Sequence, residues 1–372
     1  MQVYLVGGAV RDGLLGLPIK DKDWVVVGAT PEQMLALGYT PVGKDFPVFL
    51  HPSIHEEYAL ARTERKTSAG YHGFQFNTDT SVTLEQDLAR RDLSINAMAQ
   101  DAQGLIVDPY GGQADLQAGI LRHVSEAFAE DPVRILRVAR FAARYDFQVA
   151  DSTLQLMQTM TSNGEVDALV AERVWQELSR ALSEAHPPRF FEVLHQTQSL
   201  AKILPPLAQL KQHKLLWHQT MSALSAAAMQ KRPVSMSYAL MCAYLPVSLD
   251  KLHLGLRVPK DCADAANVLQ AVHPILLSTE PLLAETVLNV FQRCDAWRRP
   301  ERWQAAWEAT LILAEVSQQE PLSQVWQQAL MACLALDVAA IAAQSPDKAS
   351  IPANIRAARL HIITQSIASC TP

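Results

Sequence analysis

Thirteen of the fifteen glycines fall at or before Gly119, and only Gly164 and Gly255 follow. Glycine serves turns and strand-to-loop transitions and is avoided inside helices. The asymmetry therefore places strands and turns in the first third of the chain and helices in the remainder. Four short β-branched or alternating runs in that third, Val3 to Val6, Asp23 to Val27, Glu57 to Arg62 and Gly104 to Asp108, predict strands. Further on, Asp131 to Tyr145 and Ala171 to Leu182 repeat apolar residues at three-to-four spacing, the signature of amphipathic helices. Pro187-Pro188, Pro205-Pro206 and Ser345-Pro346 punctuate this helical part. No period of about 20 to 50 residues is present, which excludes a solenoid. A chain of 372 residues exceeds what one small core organises, so two or more domains are expected.

Composition removes several classes. With 49% hydrophobic and 19% charged residues the chain is not largely disordered. A net charge of −6 argues against a non-specific nucleic-acid coat while leaving room for a local basic groove. The five cysteines, Cys242, Cys262, Cys294, Cys333 and Cys370, form neither a CxxC pair nor a disulfide framework, which suits a reducing cytoplasm. Met1-Gln2-Val3-Tyr4 lacks the basic start of a signal peptide. The apolar stretch Ala329 to Ala343 carries Asp337 at its centre and is too short to span a bilayer. The expectation is a soluble cytoplasmic protein with no membrane attachment and no obligatory protein partner.

Chemistry begins at Leu5-Val6-Gly7-Gly8-Ala9-Val10-Arg11-Asp12. A short strand runs into two glycines with a helix behind them. Such a turn lets a phosphate approach backbone N–H groups at the positive end of a helix, with Arg11 adding a charged fork. It is neither a GxGxxG fingerprint nor a Walker loop. Nine residues after Asp12 stands Asp21-Lys22-Asp23, leading into a strand. Residues two apart on a strand share a face, so Asp21 and Asp23 would present adjacent carboxylates, which call for a hard cation such as Mg²⁺. A lone glycine turn or a lone DxD is more often a plain connection or a polar turn. A phosphate cradle beside a metal-binding carboxylate pair is what nucleotidyl transfer requires.

Gly7-Gly8-x-x-Arg11-Asp12 with Asp21-x-Asp23 resembles the head of the polymerase-β-type nucleotidyltransferases. More specifically, the chain is similar to the class II tRNA nucleotidyltransferases, the CCA-adding enzymes, and their poly(A) polymerase relatives. Further motifs follow in family order. Arg90-Arg91-Asp92-Leu93-Ser94-Ile95-Asn96-Ala97 matches RRDxxxNA, and Asp108-Pro109-Tyr110-Gly111-Gly112 with Asp115-Leu116 matches DPxxGxxDL. Glu130-Asp131-Pro132-Val133-Arg134 with Arg137 and Arg140 matches EDxxRxxRxxR, and Glu172-Arg173-Val174-Trp175-Gln176-Glu177 matches ERxxxE. The resemblance implies an α+β fold: a head of mixed sheet and helices over residues 1–122, a helical neck with the nucleotide-selecting helix over 123–205, and a helical body and tail over 206–372 that binds tRNA.

It also implies a set of roles. Asp21 and Asp23 would be the catalytic, Mg²⁺-holding pair, with Glu57 a weaker third candidate. Gly8, Arg11, Arg91, Arg137 and Arg140 would hold the triphosphate or ribose, while Asp131 and Arg134 would read the base. On a helix Arg134, Arg137, Arg140 and Arg144 fall within about a third of the circumference, opposite Ile135, Leu136, Val138 and Phe141. Cytosine and adenine each offer an exocyclic amine beside a ring-nitrogen acceptor, matching an Asp acceptor and an Arg donor. Uracil and guanine invert the pattern. Asp131 and Arg134, three apart, are expected to project together from the helix.

The implied reaction is template-independent addition of C, C and A to the tRNA 3′ end from CTP and ATP, releasing pyrophosphate. The partners would be the tRNA acceptor arm and 3′ end, with Lys202, Lys211, Lys214, Lys231 and Arg232 as candidate contacts in the helical part. The segment Arg62 to Lys66 through Gly70 to Phe74 matches the loop that helps the family switch from C to A addition. His218 resembles the first histidine of the HD phosphohydrolase domain of some relatives, but Ala243-Tyr244 stands where the His-Asp pair would be, so no functional HD site is expected. Three alternatives stay open: a poly(A) polymerase, an enzyme adding only C or only A, and an inactive RNA-binding protein on the same scaffold.

Overall fold

The computed structural model describes residues 1–42, 48–66, 74–321 and 323–370. These form two compact units, Met1–Pro205 and Pro206–Pro372. The first carries every strand found among the described residues.

Seven strands make one mixed sheet. They are β1 (Gln2–Val6), β2 (Asp23–Val27), β3 (Thr40–Val42), β4 (Val48–Leu50), β5 (Glu57–Leu60) and, after a separate hairpin of β6 (Thr63–Lys66) with β7 (Phe74–Asn77), β8 (Ala99–Gln100) and β9 (Ile106–Val107). Their order is β3-β4-β5-β2-β1-β8-β9, with β2 and β5 parallel and the other pairs antiparallel. Both faces are covered. Alternate residues of β2 bury into different clusters: Val25 joins Val6, Leu88 and Ala97, while Val26 joins Met34, Phe49 and Leu60. Burial of each such valine stabilises the sheet by roughly 1.5–3 kcal/mol.

Register sets what meets at the sheet end. Antiparallel pairing puts Val6 opposite Asp23, so the glycines after β1 lie beside the carboxylates that open β2. Parallel pairing puts Glu57 opposite Asp23. The strand begins at Asp23, so Asp21 lies in the segment before it and the alternation argument reaches only one of the two carboxylates.

Helix α1 (Gly8–Leu14) follows β1; α2 (Pro31–Ala36) and α3 (Leu84–Ala89) each open on a threonine capping box. Next come α4 (Gly112–Ala118), α5 (Val133–Tyr145), α6 (Asp151–Ser162), α7 (Ala171–Ala181) and α8 (Pro188–Gln196). In α5, Val133, Ile135, Leu136, Val138 and Phe141 are buried, and the helix packs against α7 and α8. Pro188 starts α8 and Pro205 starts a short helix, Pro205–Leu210, as the proline pairs predict.

The second unit is helical throughout its described residues, with its longest helices at Lys214–Met229, Lys260–Leu276, Pro300–Ser317 and Ile351–Cys370. Its core stacks Phe291, Trp303, Trp307 and Trp326, with Phe291 and Trp303 edge-on at 5.0 Å. Cys242, Cys262, Cys294 and Cys333 are buried free thiols. Among the described residues no single helix is long and apolar enough to cross a membrane.

Candidate active site

One cleft in the first unit, of about 820 Å³, brings together Gly8, Arg11, Asp21, Asp23, Arg91, Asp131, Arg134, Arg137 and Arg140, all nine residues expected from the sequence. Eleven cationic side chains and six carboxylates line it among the described residues, an excess of five positive charges in a chain of net charge −6. Such a concave basic surface attracts a polyanion. Glu57 does not line the cleft, although its strand pairing sets it beside Asp23.

The glycine turn is built around an arginine. Gly7 adopts φ 67°, where a side chain is strained, and a Cβ there would lie 2.7 Å from Arg91 Nη1 and displace it. Its N–H donates to Met98 O, tying the turn to the RRDxxxNA segment. Arg91 Nη2 reaches Asp87 Oδ2 at 3.4 Å, and Arg91 Nε is buried with no hydrogen-bond partner, a donor left over for an anion.

Arg11, expected as a charged fork for phosphate, is held by protein groups. It is 4% exposed, donates to Asp12 Oδ1 (2.8 Å) and to Asn96 Oδ1, and lies 5.1 Å from the Phe141 ring centroid. Asp12 also accepts from Arg144 Nη2 (3.0 Å) and Tyr145 Oη (2.8 Å) on α5. Burial pushes the Asp12 carboxyl up, but Arg11, the two hydrogen bonds and Arg144 together hold it below its ordinary value. Asp12 therefore joins the glycine-turn helix to α5. Nothing in the sequence pairs residues 132 apart.

Asp21 and Asp23 have no hydrogen-bond or ion-pair partner among the described side chains, while every other carboxylate of the cleft is matched to an arginine. Burial and the neighbouring Asp21 charge push the Asp23 carboxyl up, against the pull of Arg91. No group of three or more His, Cys, Asp or Glu among the described residues is arranged to hold a metal ion. A pair of unmatched carboxylates nonetheless fits Mg²⁺, which takes one or two protein carboxylates and completes its shell with phosphate and water.

The motif after β9 serves as a brace. A Cβ on Gly112 would lie 2.3 Å from Ser94 O, so only glycine lets α4 approach the 3₁₀ turn Ser94–Asn96 this closely. Asp108 caps α4 by accepting from Gly112 N and Gln113 N (2.7 and 2.9 Å), and Asp115 accepts from Ser94 Oγ (2.6 Å). That turn in turn carries Asn96, which donates to Asp92 Oδ1 (2.9 Å). Asp92 is paired with Arg137 Nε at 2.7 Å. Burial pushes Asp92 up, yet Arg137 and Asn96 bring it well below the usual carboxylate range, and Asp92 raises Arg137 in return.

Four arginines of α5, Arg134, Arg137, Arg140 and Arg144, face the cleft as their spacing predicts. Phe141, expected on the opposite side, lines the cleft among them, because about 100° per residue brings it back within the arginine arc. Asp131 does not project from the helix beside Arg134. It has extended backbone (φ −123°, ψ 107°) ahead of the first turn, and its Oδ1 accepts from Val133 N at 3.0 Å. Its carboxylate is forked by Arg173 of α7 at 3.3 and 3.1 Å. Arg134 donates to Ala127 O (3.1 Å) and Arg90 O (2.7 Å) instead. The cause is Pro132, whose ring turns the preceding residue away from helical backbone. Glu177, one turn after Arg173, accepts from Arg140 Nε at 2.6 Å. The i,i+4 spacing inside ERxxxE was the available signal for both contacts. Residues 67–73, including the expected switching segment at Gly70, lie outside the described residues.

The mixed sheet, the unmatched carboxylates at its end and the arginine helix closing the cleft define a polymerase-β-type nucleotidyltransferase head. Residues 3–122 match the "Poly A polymerase head domain" family and residues 146–211 the "Probable RNA and SrmB- binding site of polymerase A" family. The "Multifunctional CCA protein" of Chromobacterium violaceum is 50% identical over 98% of this chain and 98% of its own length. That of Neisseria meningitidis is 53% identical over 82% of this chain and 80% of its own. The chain belongs to the multifunctional CCA protein family. The fold is shared with a Bacillus stearothermophilus CCA-adding enzyme in complex with CTP (24% identity, TM-score 0.64, 98% of this chain and 89% of that one). It is shared too with a Thermotoga maritima CCA-adding enzyme complexed with tRNA (20%, TM-score 0.65, 100% and 92%).

Proposed function

We propose that the head cleft adds C, C and A in turn to the 3′ end of tRNA from CTP and ATP, without a nucleic-acid template. The tRNA 3′-hydroxyl oxygen bonds to the α-phosphorus of the nucleotide, the bond to the β-phosphate oxygen breaks, and pyrophosphate leaves. The carrying observation is the meeting, in one basic cleft, of two unmatched carboxylates with the arginine face of α5, a cleft that Asp131 and Arg134 also line.

Asp21 and Asp23 would hold Mg²⁺, which when bound supplies Lewis acidity at the α-phosphate and the attacking hydroxyl. The N–H of Gly8, with Arg91, Arg137 and Arg140, would hold the triphosphate. Arg11 would add positive potential from a fixed, buried position. Arg134 would donate to the ring nitrogen and Asp131 would accept from the exocyclic amine. Glu57 would act from the neighbouring strand, opposite Asp23. The domain reading keeps 1–122 as catalytic head, 123–205 as selecting neck and 206–372 as the tRNA-binding body, working in the cytoplasm. The word "multifunctional" describes the relatives; for this chain we assign nucleotidyl transfer alone, because Ala243 and Tyr244 supply no metal ligand where the His-Asp pair would stand.

The test is direct. Transcripts of tRNA lacking CCA, CC-ended and C-ended are incubated with each labelled NTP singly and together, and products are sized. Three added nucleotides with CTP plus ATP, one A on CC-ended tRNA, and none with UTP or GTP are expected. A long A-tail would identify a poly(A) polymerase, and no incorporation would identify an inactive scaffold.

A further inference from the structure

Asp131 precedes the helix, so helical backbone does not orient its carboxylate; a terminal carboxyl torsion is otherwise broad. What orients it is Arg173, which donates Nη1 to Oδ1 and Nη2 to Oδ2. With Val133 N also on Oδ1, that oxygen has both lone pairs used, and Oδ2 keeps one. The fork thus leaves a single acceptor position at Oδ2, in a fixed plane.

Resting on the functional reading above, we propose that Arg173 is a positioning residue for nucleotide selection: it aims the one remaining Asp131 acceptor at the exocyclic amine of cytosine or adenine. A stabilising role does not account for it. The Arg173–Asp131 pair is partly exposed (31% and 23%), and such pairs add little to stability. The buried Arg140–Glu177 pair (8% and 5% exposed) already ties α7 to α5. Arg173 and Glu177, four apart on one helix, therefore divide the work: Glu177 holds the helix and Arg173 aims the carboxylate. Lysine cannot replace it fully, because an ammonium is a point donor without a planar fork.

The experiment measures kcat and KM for CTP and UTP on C-ended tRNA, and for ATP and GTP on CC-ended tRNA. The enzymes are the full chain and its Arg173→Ala, Arg173→Lys, Asp131→Ala and Arg173→Ala/Asp131→Ala variants. Discrimination against UTP and GTP is expected to fall on the order of tenfold in Arg173→Ala, the effect of one well-placed hydrogen bond, mainly through KM. Arg173→Lys should recover part of it, and the double variant should select no worse than Asp131→Ala alone. Equal discrimination in Arg173→Ala and the parent, with rates lowered alike for all four nucleotides, overturns the proposal. So do independent, multiplying losses in the double variant. If Arg173→Ala does not fold, Arg173→Lys decides: full parental selection in it overturns the proposal. A parent that itself shows no preference for CTP and ATP sinks the functional reading, a result distinct from either.

Discussion

Asp21 and Asp23 stand out because the cleft leaves them unmatched while it pairs Asp12, Asp92, Asp131 and Glu184 with arginines. Unpaired like charges held together oppose folding, so a protein keeps them only for chemistry. Asp21→Ala or Asp23→Ala should lower nucleotide incorporation by about a thousandfold or more, the scale of a metal ion's several kcal/mol. Thermal stability should stay level or rise, and tRNA affinity by filter binding should be unchanged. A double variant that still adds nucleotides at more than a trace rate would remove the metal assignment. Base reading is separable from phosphate holding. Asp131→Ala or Arg134→Ala should admit UTP and GTP, each lost contact being worth about 1–3 kcal/mol of discrimination. Arg137→Ala should weaken all four nucleotides alike, and competition assays with mixed NTPs distinguish the two patterns.

At the scale of elements, the network around α5 is an electrostatic clasp between head and neck helix. Arg137 crosses to Asp92, and Arg144 with Tyr145 crosses to Asp12. Both carboxylates are held below their ordinary value near 3.8. A depressed folded value contributes stability that is fully present above the unfolded value. It is lost as pH falls from about there through the lower folded value. Acidification from pH 5 to pH 2 should thus progressively destabilise the first unit, and Asp92→Asn should flatten that dependence in denaturant titrations followed by fluorescence. A parental curve independent of pH across this window would contradict the clasp. Much of this element was readable beforehand, since the arginine spacing and the buried stripe of α5 follow from helical geometry alone. The placement of Asp131 was not, because a proline next to it broke the helix that the spacing assumed.

For the whole molecule, the cleft is confined to the first unit, and in the second unit the residues compared with an HD pattern are packing or exposed side chains. His218 is exposed on Lys214–Met229, Ala243 is buried, and Tyr244 meets His273 edge-on at 5.3 Å. An HD site needs several coordinating side chains together. Phosphodiesterase and phosphatase assays with Ni²⁺, Mn²⁺ or Mg²⁺ should therefore read background. Metal-dependent turnover that survives Asp21→Ala and vanishes in His218→Ala would overturn this.

The division into a strand-bearing first third and a helical remainder, and four of the seven sheet strands, were readable from local patterns in the chain, while the short strands Thr40–Val42, Val48–Leu50 and Ala99–Gln100 were not. The nine cleft residues were named largely through the motifs' resemblance to a known family, and the structure gathers them in one cleft. Three matters were decided only in three dimensions. Asp12 grips α5 across 132 residues, Arg11 is occupied by Asp12 and Asn96, and Arg173 rather than Arg134 holds Asp131. Spacing along a chain tells which side chains share a face. Which charge a buried group finds on another element depends on how the elements pack, and at contact distance the nearest partner wins.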